Sequence, residues 1–476
     1  MTVQSEEPMS HKDVLRALSG ILAAFFASML ALNVVMTALP VIITELDGNQ
    51  TEYSWVLTAA LLANAASTPI WGKLADLMDK KRLIQISIVI FMIASIVAFF
   101  ATSMAMLIGA RVIQGLGMGG LAALSMAIMG TIIAPRNRGR YAGYMGATMA
   151  TATAAGPLIG GLVVDAFGWR WTFFIGIPFA LIAMIVIART LKLPVVRRQV
   201  QLDYLGAFLL TTAASTFLIW VSFVNNPDFF PFLSWQTFIL LGVVLVAVIL
   251  FIFVESRAVE PVMNLKMLTS RTTLLAVIAS ASVAVTMFGI PAYLGQYFQL
   301  GRGFSPTASG LMLLPMIFSN LAGSTGAGML ITKYGRWKIF LVIGTALLPA
   351  TSLALSFIDE ATPLWLIGVL IGLQGLGLGM VIQNFMLAVQ NTVKVTEIGA
   401  ASAAIAFFRT LGGATGNVVL GAVMAMQVAG VAVGTASART LYAEGTGTLF
   451  FITMLITLPG MFATWAIKEV PLRRTV

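Results

Sequence analysis

Within the long apolar stretches of this chain, few side chains could do chemistry: two arginines and a set of amides. Arg111 falls about two turns into one stretch and Arg409 lies inside another. Asn33, Asn64, Gln114, Gln296, Asn320, Gln383 and Asn384 occupy similar surroundings. A charge held in hydrocarbon is costly, so each arginine has two readings. It either bonds helix-end carbonyls and neighbouring amides, or faces a cavity, where it tunes a carboxylate or meets a polar group of a solute. The amides either hydrogen-bond in the same cavity or join helices. Acidic residues stay at the ends of the stretches, with none near a middle. Glu52 opens the second stretch, Asp165 closes the fifth and Asp76 ends the second, which makes these three the candidate proton carriers. A carboxylate buried in one state would take up a proton, and a nearby arginine in another state would expel it.

Other chemistry is scarce. The chain has no cysteine, and its one histidine, His11, sits in a polar N-terminal tail. Disulfides, thiol nucleophiles and thiolate metal sites are excluded. No metal and no cofactor is expected.

Composition decides the solvent. Hydrophobic residues make up 59% of the 476 and charged ones 10%, too few polar groups to cover a soluble protein of this size. Apolar runs near the length that crosses ~30 Å of hydrocarbon as helix recur throughout. Barrel-like alternation is absent, so the spans are helical. Fourteen are expected, near 14–44, 53–75, 83–102, 105–132, 140–164, 171–191, 204–224, 235–255, 272–297, 306–331, 338–357, 363–388, 398–426 and 446–467. The loop 427–445 is expected to be the longest on its face. Basic clusters at 80–82, 136–140, 189–198, 257–271, 333–338 and 468–474 all fall on one face, the positive-inside pattern. That places both termini in the cytoplasm and the protein in a bacterial inner membrane. The net charge of +10 suits inner loops against an anionic leaflet, and no nucleic-acid partner is implied.

Two segments repeat. Gly72-Lys-Leu-Ala-Asp76-Leu-Met-Asp79-Lys80-Lys81-Arg82 echoes Gly328 to Lys338, and Leu107 to Gly119, with Gln114-Gly115-Leu-Gly117-Met-Gly119, echoes Leu366 to Gly379. The same two marks in the same order point to two six-helix bundles, as in transporters with internal repeats. The expected organisation is a cytoplasmic tail 1–13, a first bundle 14–198, an inserted helix pair 199–258, a second bundle 259–468 and a tail 469–476.

These residues resemble the major facilitator superfamily, and within it the fourteen-helix drug:proton antiporters. Gly72-x-Leu-Ala-Asp76-x-x-Asp79-Lys80-Lys81 is similar to the family's loop motif between helices two and three, with Asp79 where glycine is usual. Leu107-x-x-x-Arg111-x-x-Gln114-Gly115-x-Gly117 resembles its helix-four motif, and Gly156-Pro157-Leu-Ile-Gly160-Gly161 its antiporter motif on helix five. Trp169-Arg170-Trp171 and Phe408-Arg409-Thr-Leu-Gly412-Gly413 are also similar to what such members carry. The family often has an aspartate a few residues before Ala38-Leu39-Pro40; this chain has Asn33 there. The resemblance implies an all-α membrane fold and a proton-coupled exporter of small lipophilic compounds, acting as a monomer in the bilayer and not as an enzyme. A lipid or metabolite exporter is the alternative, with a channel or membrane enzyme behind it.

The motifs also have their own physics. Asp76, with Gly72, Lys80, Lys81 and Arg82, could pair with Arg138 or Arg140 of the next basic loop and hold that side closed. The alternative is that the basic residues only anchor topology. Pro157 would kink a helix, and glycines at i and i+4 would let another helix approach. Gly115-Leu-Gly117-Met-Gly119 follows no strand, so it is no nucleotide loop.

Overall fold

The computed structural model describes residues 11–132, 138–191, 203–224, 229–258, 265, 269–392, 398–429, 431 and 435–470. Hydrocarbon offers no partner to a backbone N–H, so the apolar runs satisfy their own amides as helices. Five long helices come first: α1 (His11–Glu45), α2 (Gln50–Leu77), α3 (Lys80–Phe99), α4 (Met104–Ile132) and α5 (Arg138–Phe167). The sixth span is made of two pieces, α6 (Trp171–Phe174) and α7 (Gly176–Thr190). Then follow α8 (Tyr204–Phe223) and α9 (Trp235–Arg257). The second bundle opens with α10 (Arg271–Phe288), α11 (Ile290–Gln296) and a π-helical turn, Tyr297–Gly301, which share one span. Next come α12 (Pro306–Met312) and α13 (Leu314–Tyr334) as another, then α14 (Lys338–Leu355), α15 (Leu364–Thr392), α16 (Ile398–Gln427) and α17 (Ala436–Ala466).

Among the described residues these helices make fourteen spans. Eleven are long and apolar enough to cross a membrane. The other three spans are α2, α5 and α16; across the junction of the bundles α2 meets α16, and α5 meets α12.

The boundary between the third and fourth spans holds at a short loop, where Ser103 Oγ accepts from Met106 N at 3.3 Å and starts α4. The last span differs from expectation. It begins at Ala436, ten residues early, because Thr435 caps it by accepting from Ala438 N at 3.1 Å. Its first turns, Ala-Ser-Ala-Arg-Thr-Leu-Tyr-Ala-Glu, are too polar to register as membrane, so hydropathy assigned them to a loop.

The helix pair α8 and α9 lies outside the repeat. Asp203 caps α8 through a bond from Gly206 N at 2.7 Å, and Ser234 caps α9 through one from Thr237 N at 3.3 Å. Its contact with the bundles is an apolar cluster of Ala65, Leu209, Phe251, Ala404 and Phe407, which covers the line where α2 meets α16. The far face of α9, with Ile239, Leu245, Val246 and Ile249, is exposed, as lipid-facing residues are.

Candidate transport pathway

Each bundle is pinned by the same glutamine. Gln114 Nε2 on α4 donates to Ser95 Oγ on α3 at 2.8 Å, and Gln374 Nε2 on α15 donates to Ser352 Oγ on α14 at 3.0 Å. The glycines beside them also match. A Cβ on Gly115 would strike Ala60 O of α2, and one on Gly375 would strike Met316 O of α13. On the next turn Gly119 faces Asn64 O and Gly379 faces Asn320 O. These glycines seat α4 on α2 and α15 on α13 at backbone distance. Asn64 and Asn320 thus mark equivalent contacts, both half-buried.

Arg111 has no partner of this kind in the second bundle, where Ile371 stands instead. It is fully buried; its Nε donates to Val56 O at 2.9 Å and its Nη1 to Gln114 Oε1, while Nη2 has no partner. The structure therefore places Arg111 and Gln114 among α2, α3 and α4, inside the first bundle and away from the junction.

The junction is sealed by polar contacts at the end where α1 passes to α2. Gln50 and Gln296 exchange amide hydrogen bonds at 3.0 and 2.7 Å, both side chains buried. Tyr53 Oη donates to Ala292 O at 2.8 Å, and Tyr293 Oη donates to Asn417 O at 2.9 Å. Asn417 Nδ2 donates to Ser54 O at 2.8 Å and Thr58 Oγ1 at 3.0 Å. Gln299 Nε2 reaches Thr37 O at 2.9 Å. Buried polar groups in hydrocarbon need such partners; apart from Tyr293–Asn417, which lies within the second bundle, each of these bonds joins one bundle to the other at low local dielectric.

The glycines on α5 make a second contact with two-fold character. Gly156 lies against Asn33 Cβ, and a Cβ on Gly160 would sit 2.8 Å from Val34 O, both on α1. On α16, Gly412 and Gly416 meet Ala281 and Val285 of α10 in the same way. One residue on, Gly161 turns to the partner bundle, where a Cβ would lie 2.6 Å from Pro306 O and from Thr307 Cα. In return, Gly310 of α12 faces Pro157 O. At the corresponding place on α16 stands Asn417, which replaces a close glycine contact with hydrogen bonds.

Of the proton candidates, Asp165 Oδ2 accepts from Thr307 N at 2.9 Å across the same junction. Glu52 is engaged locally: its Oε2 accepts from Asn49 N and its own N–H bonds Asn49 Oδ1, both at 2.9 Å, a capping box at the start of α2. The side chains of Asp76, Arg138 and Arg140 lie outside the described residues. Near them, Asp79 caps α3 by accepting from Lys81 N at 2.8 Å, and Lys81 Nζ caps the C-terminal carbonyls of α7 at Ala188 O, 2.7 Å. Arg82 Nε lies 3.8 Å from Asp79 Oδ2 in a largely exposed pair. Lys80 is half-buried, and a Cβ on Gly72 would meet nothing within 4 Å.

The remaining amides do not converge. Asn33 Nδ2 bonds Met29 O at 2.7 Å, Asn384 Nδ2 bonds Met380 O at 2.6 Å, and Gln383 is exposed. Arg409 is half-buried on α16, and among the described residues it makes no hydrogen bond or ion pair. Sequence reasoning missed Gln50, Tyr53, Tyr293, Gln299 and Asn417 as seal residues. Asn417 had a signal: it breaks the glycine pattern where the repeat would place an equivalent of Gly161.

Comparison with known proteins agrees with this architecture. The chain is 31% identical over 424 residues to the multidrug transporter protein MdtP of Bacillus subtilis, covering 89% of this chain and 77% of that one. It is 32% identical over 416 residues to the efflux pump dotC of Dothistroma septosporum, covering 86% and 70%. An uncharacterised MFS-type transporter of Mycobacterium tuberculosis is 33% identical over 395 residues; these are 82% of this chain but only 56% of that longer protein. In fold it is similar to a bacterial homologue of the human lysosomal transporter Spinster (TM-score 0.69, 13% identity, 96% and 98% covered). It is also similar to a POT family peptide transporter (TM-score 0.66, 14% identity, 97% and 99% covered). With its paired six-helix repeat and a match to the family's model over residues 21–417, the chain belongs to the Major Facilitator Superfamily.

Proposed function

We propose that this protein is a secondary active transporter that exports lipophilic toxic compounds by alternating access, coupled to proton entry. The observation that carries the reading is the seal. Among the described residues, direct bonds between the bundles cluster at one end, which is how a carrier closed on one side and accessible from the other is built. The efflux names of its relatives favour export. The basic loops at 80–82 and 333–338 support a reading with the other end and both termini in the cytoplasm and the protein in a bacterial inner membrane. Asp165 is the preferred proton carrier, because it accepts a bond that spans the junction, and protonation would weaken that bond as the seal opens. Asp76 remains the proposed gate at the opposite end. The bilayer, small lipophilic solutes and protons are the partners, and a monomer suffices.

Everted membrane vesicles test the reading. Energised vesicles should accumulate a lipophilic dye, and collapsing the proton gradient should stop them. Accumulation that ignores the gradient would overturn proton coupling, and no accumulation of any lipophilic compound would overturn export.

A further inference from the structure

We infer that the exported compounds are lipophilic anions, and that Arg409 receives their negative group. This rests on the export reading and narrows its substrate class. Arg111 and Arg409 are the two cations set inside the apolar spans, and their surroundings differ. Arg111 is enclosed by Val56 O and Gln114. Arg409 keeps part of its surface open and has no acceptor among the described residues.

The neighbours of α16 show where Arg409 points. Gly412 and Gly416 face α10, Asn417 and Gly421 face α2, and Phe407 faces the α8–α9 cluster. At 3.6 residues per turn, position 409 falls between the α10-facing and α2-facing sides, one turn below Gly413 on the unsealed side. That direction is the junction between the two bundles. Neither α16 nor α10 contains an acidic residue. On α2 the acids are Glu52, held in its capping box, and Asp76, three turns beyond Ala65, the residue level with Phe407. Beside α16, α8 is capped by Asp203 and α9 buries Glu255, and among the described residues neither makes an ion pair with Arg409.

An unpaired cation in such a place selects by charge. Its planar fork of N–H donors fits a carboxylate, sulfonate or phosphate in two parallel bonds. A lipophilic cation meets like-charge repulsion that the apolar walls do little to screen. The apolar remainder of the solute packs against the surrounding helices.

Two probes with one fluorophore separate these outcomes: dansylglycine, a carboxylate, and dansylcadaverine, an ammonium. Purified parent protein is expected to bind dansylglycine about tenfold tighter or more, the worth of a charge-assisted bond. Arg409→Gln should weaken dansylglycine by a similar factor and leave dansylcadaverine unchanged or tighter. Arg409→Lys should retain part of the preference, which guards against a folding defect in the glutamine variant. Equal binding of the two probes by the parent, or a preference that survives in Arg409→Gln, overturns the proposal. In everted vesicles, uptake of dansylcadaverine by the parent that equals or exceeds uptake of dansylglycine would sink the anion assignment and leave export standing. Arg409-dependent binding of dansylglycine with neither dye transported would sink export and leave the anion site standing.

Discussion

Gln50 and Gln296 bond each other twice, side chain to side chain, across the junction of the two bundles. Removing one partner leaves a buried amide unsatisfied at a cost of about 1–3 kcal/mol, whereas replacing both with apolar groups of similar shape costs little. Gln50→Leu and Gln296→Leu singly should therefore shift the carrier away from its sealed state by roughly 5- to 150-fold. The double variant should shift it less than either. The parent has no cysteine, so one cysteine placed at Thr58 in all four proteins, where its own loss of the Asn417 bond is common to each, reports the differences in opening by its labelling rate. Equal labelling in all four proteins would remove the amide pair from the seal.

Gly161→Ala should act in the same direction by steric means. Its methyl would enter the space of Pro306 and Thr307, where backbone cannot yield as a flexible side chain would. Loss of dye uptake with normal membrane insertion is expected, together with faster labelling at Thr58. Gly109→Ala is the control, since a Cβ there meets nothing within 4 Å.

Arg111 tests the interior of the first bundle. Arg111→Ala strands Val56 O and Gln114 together and should cost roughly 2–3 kcal/mol, read as a lower melting temperature of the detergent-purified protein. Arg111→Lys should restore only part, because one ammonium lacks the fork that reaches both acceptors. An alanine variant as stable as the parent would show that these bonds carry no net stability.

Asp165→Asn keeps an acceptor for Thr307 N but cannot take up a proton. Dye uptake by everted vesicles should lose its dependence on the proton gradient, while binding of the dye persists. Unchanged proton dependence would pass the coupling role to Asp76 or Glu52.

The loop between α14 and α15 should respond to acid. The Thr362 hydroxyl, the Ala361 amide and the nearby Arg302 guanidinium hold the Asp359 carboxyl below the usual carboxylate range. A group depressed in the folded state stabilises above its unfolded value, and that contribution is lost as pH falls through the folded one. Thermal stability should decline with acidification in the parent, and Asp359→Asn should flatten that part of the curve.

Much of the fold was legible because hydropathy and repeats report on each stretch by itself. The repeat set Gly115 and the second bundle's Gly375 at matching places, and the structure gives each a backbone carbonyl two helices earlier in its bundle as neighbour. The start of α17 was not legible, because polar first turns conceal a helix that leaves the membrane. The seal was hidden for a different reason. Gln50 finds its partner 246 residues away and Asn417 finds Thr58 359 residues away, so no local spacing reveals either pair. Arg111 was recognised as buried, but what surrounds it is set by tertiary packing that its own helix does not display.

The seal is built almost wholly of amides, tyrosines and backbone carbonyls. Neutral dipoles inside a low-dielectric junction are untouched by the ion atmosphere that screens exposed charges within about 10 Å. Closure should hold equally well in dilute and in saline media. A cell whose surroundings swing in osmolarity would then keep the barrier tight without having to regulate it.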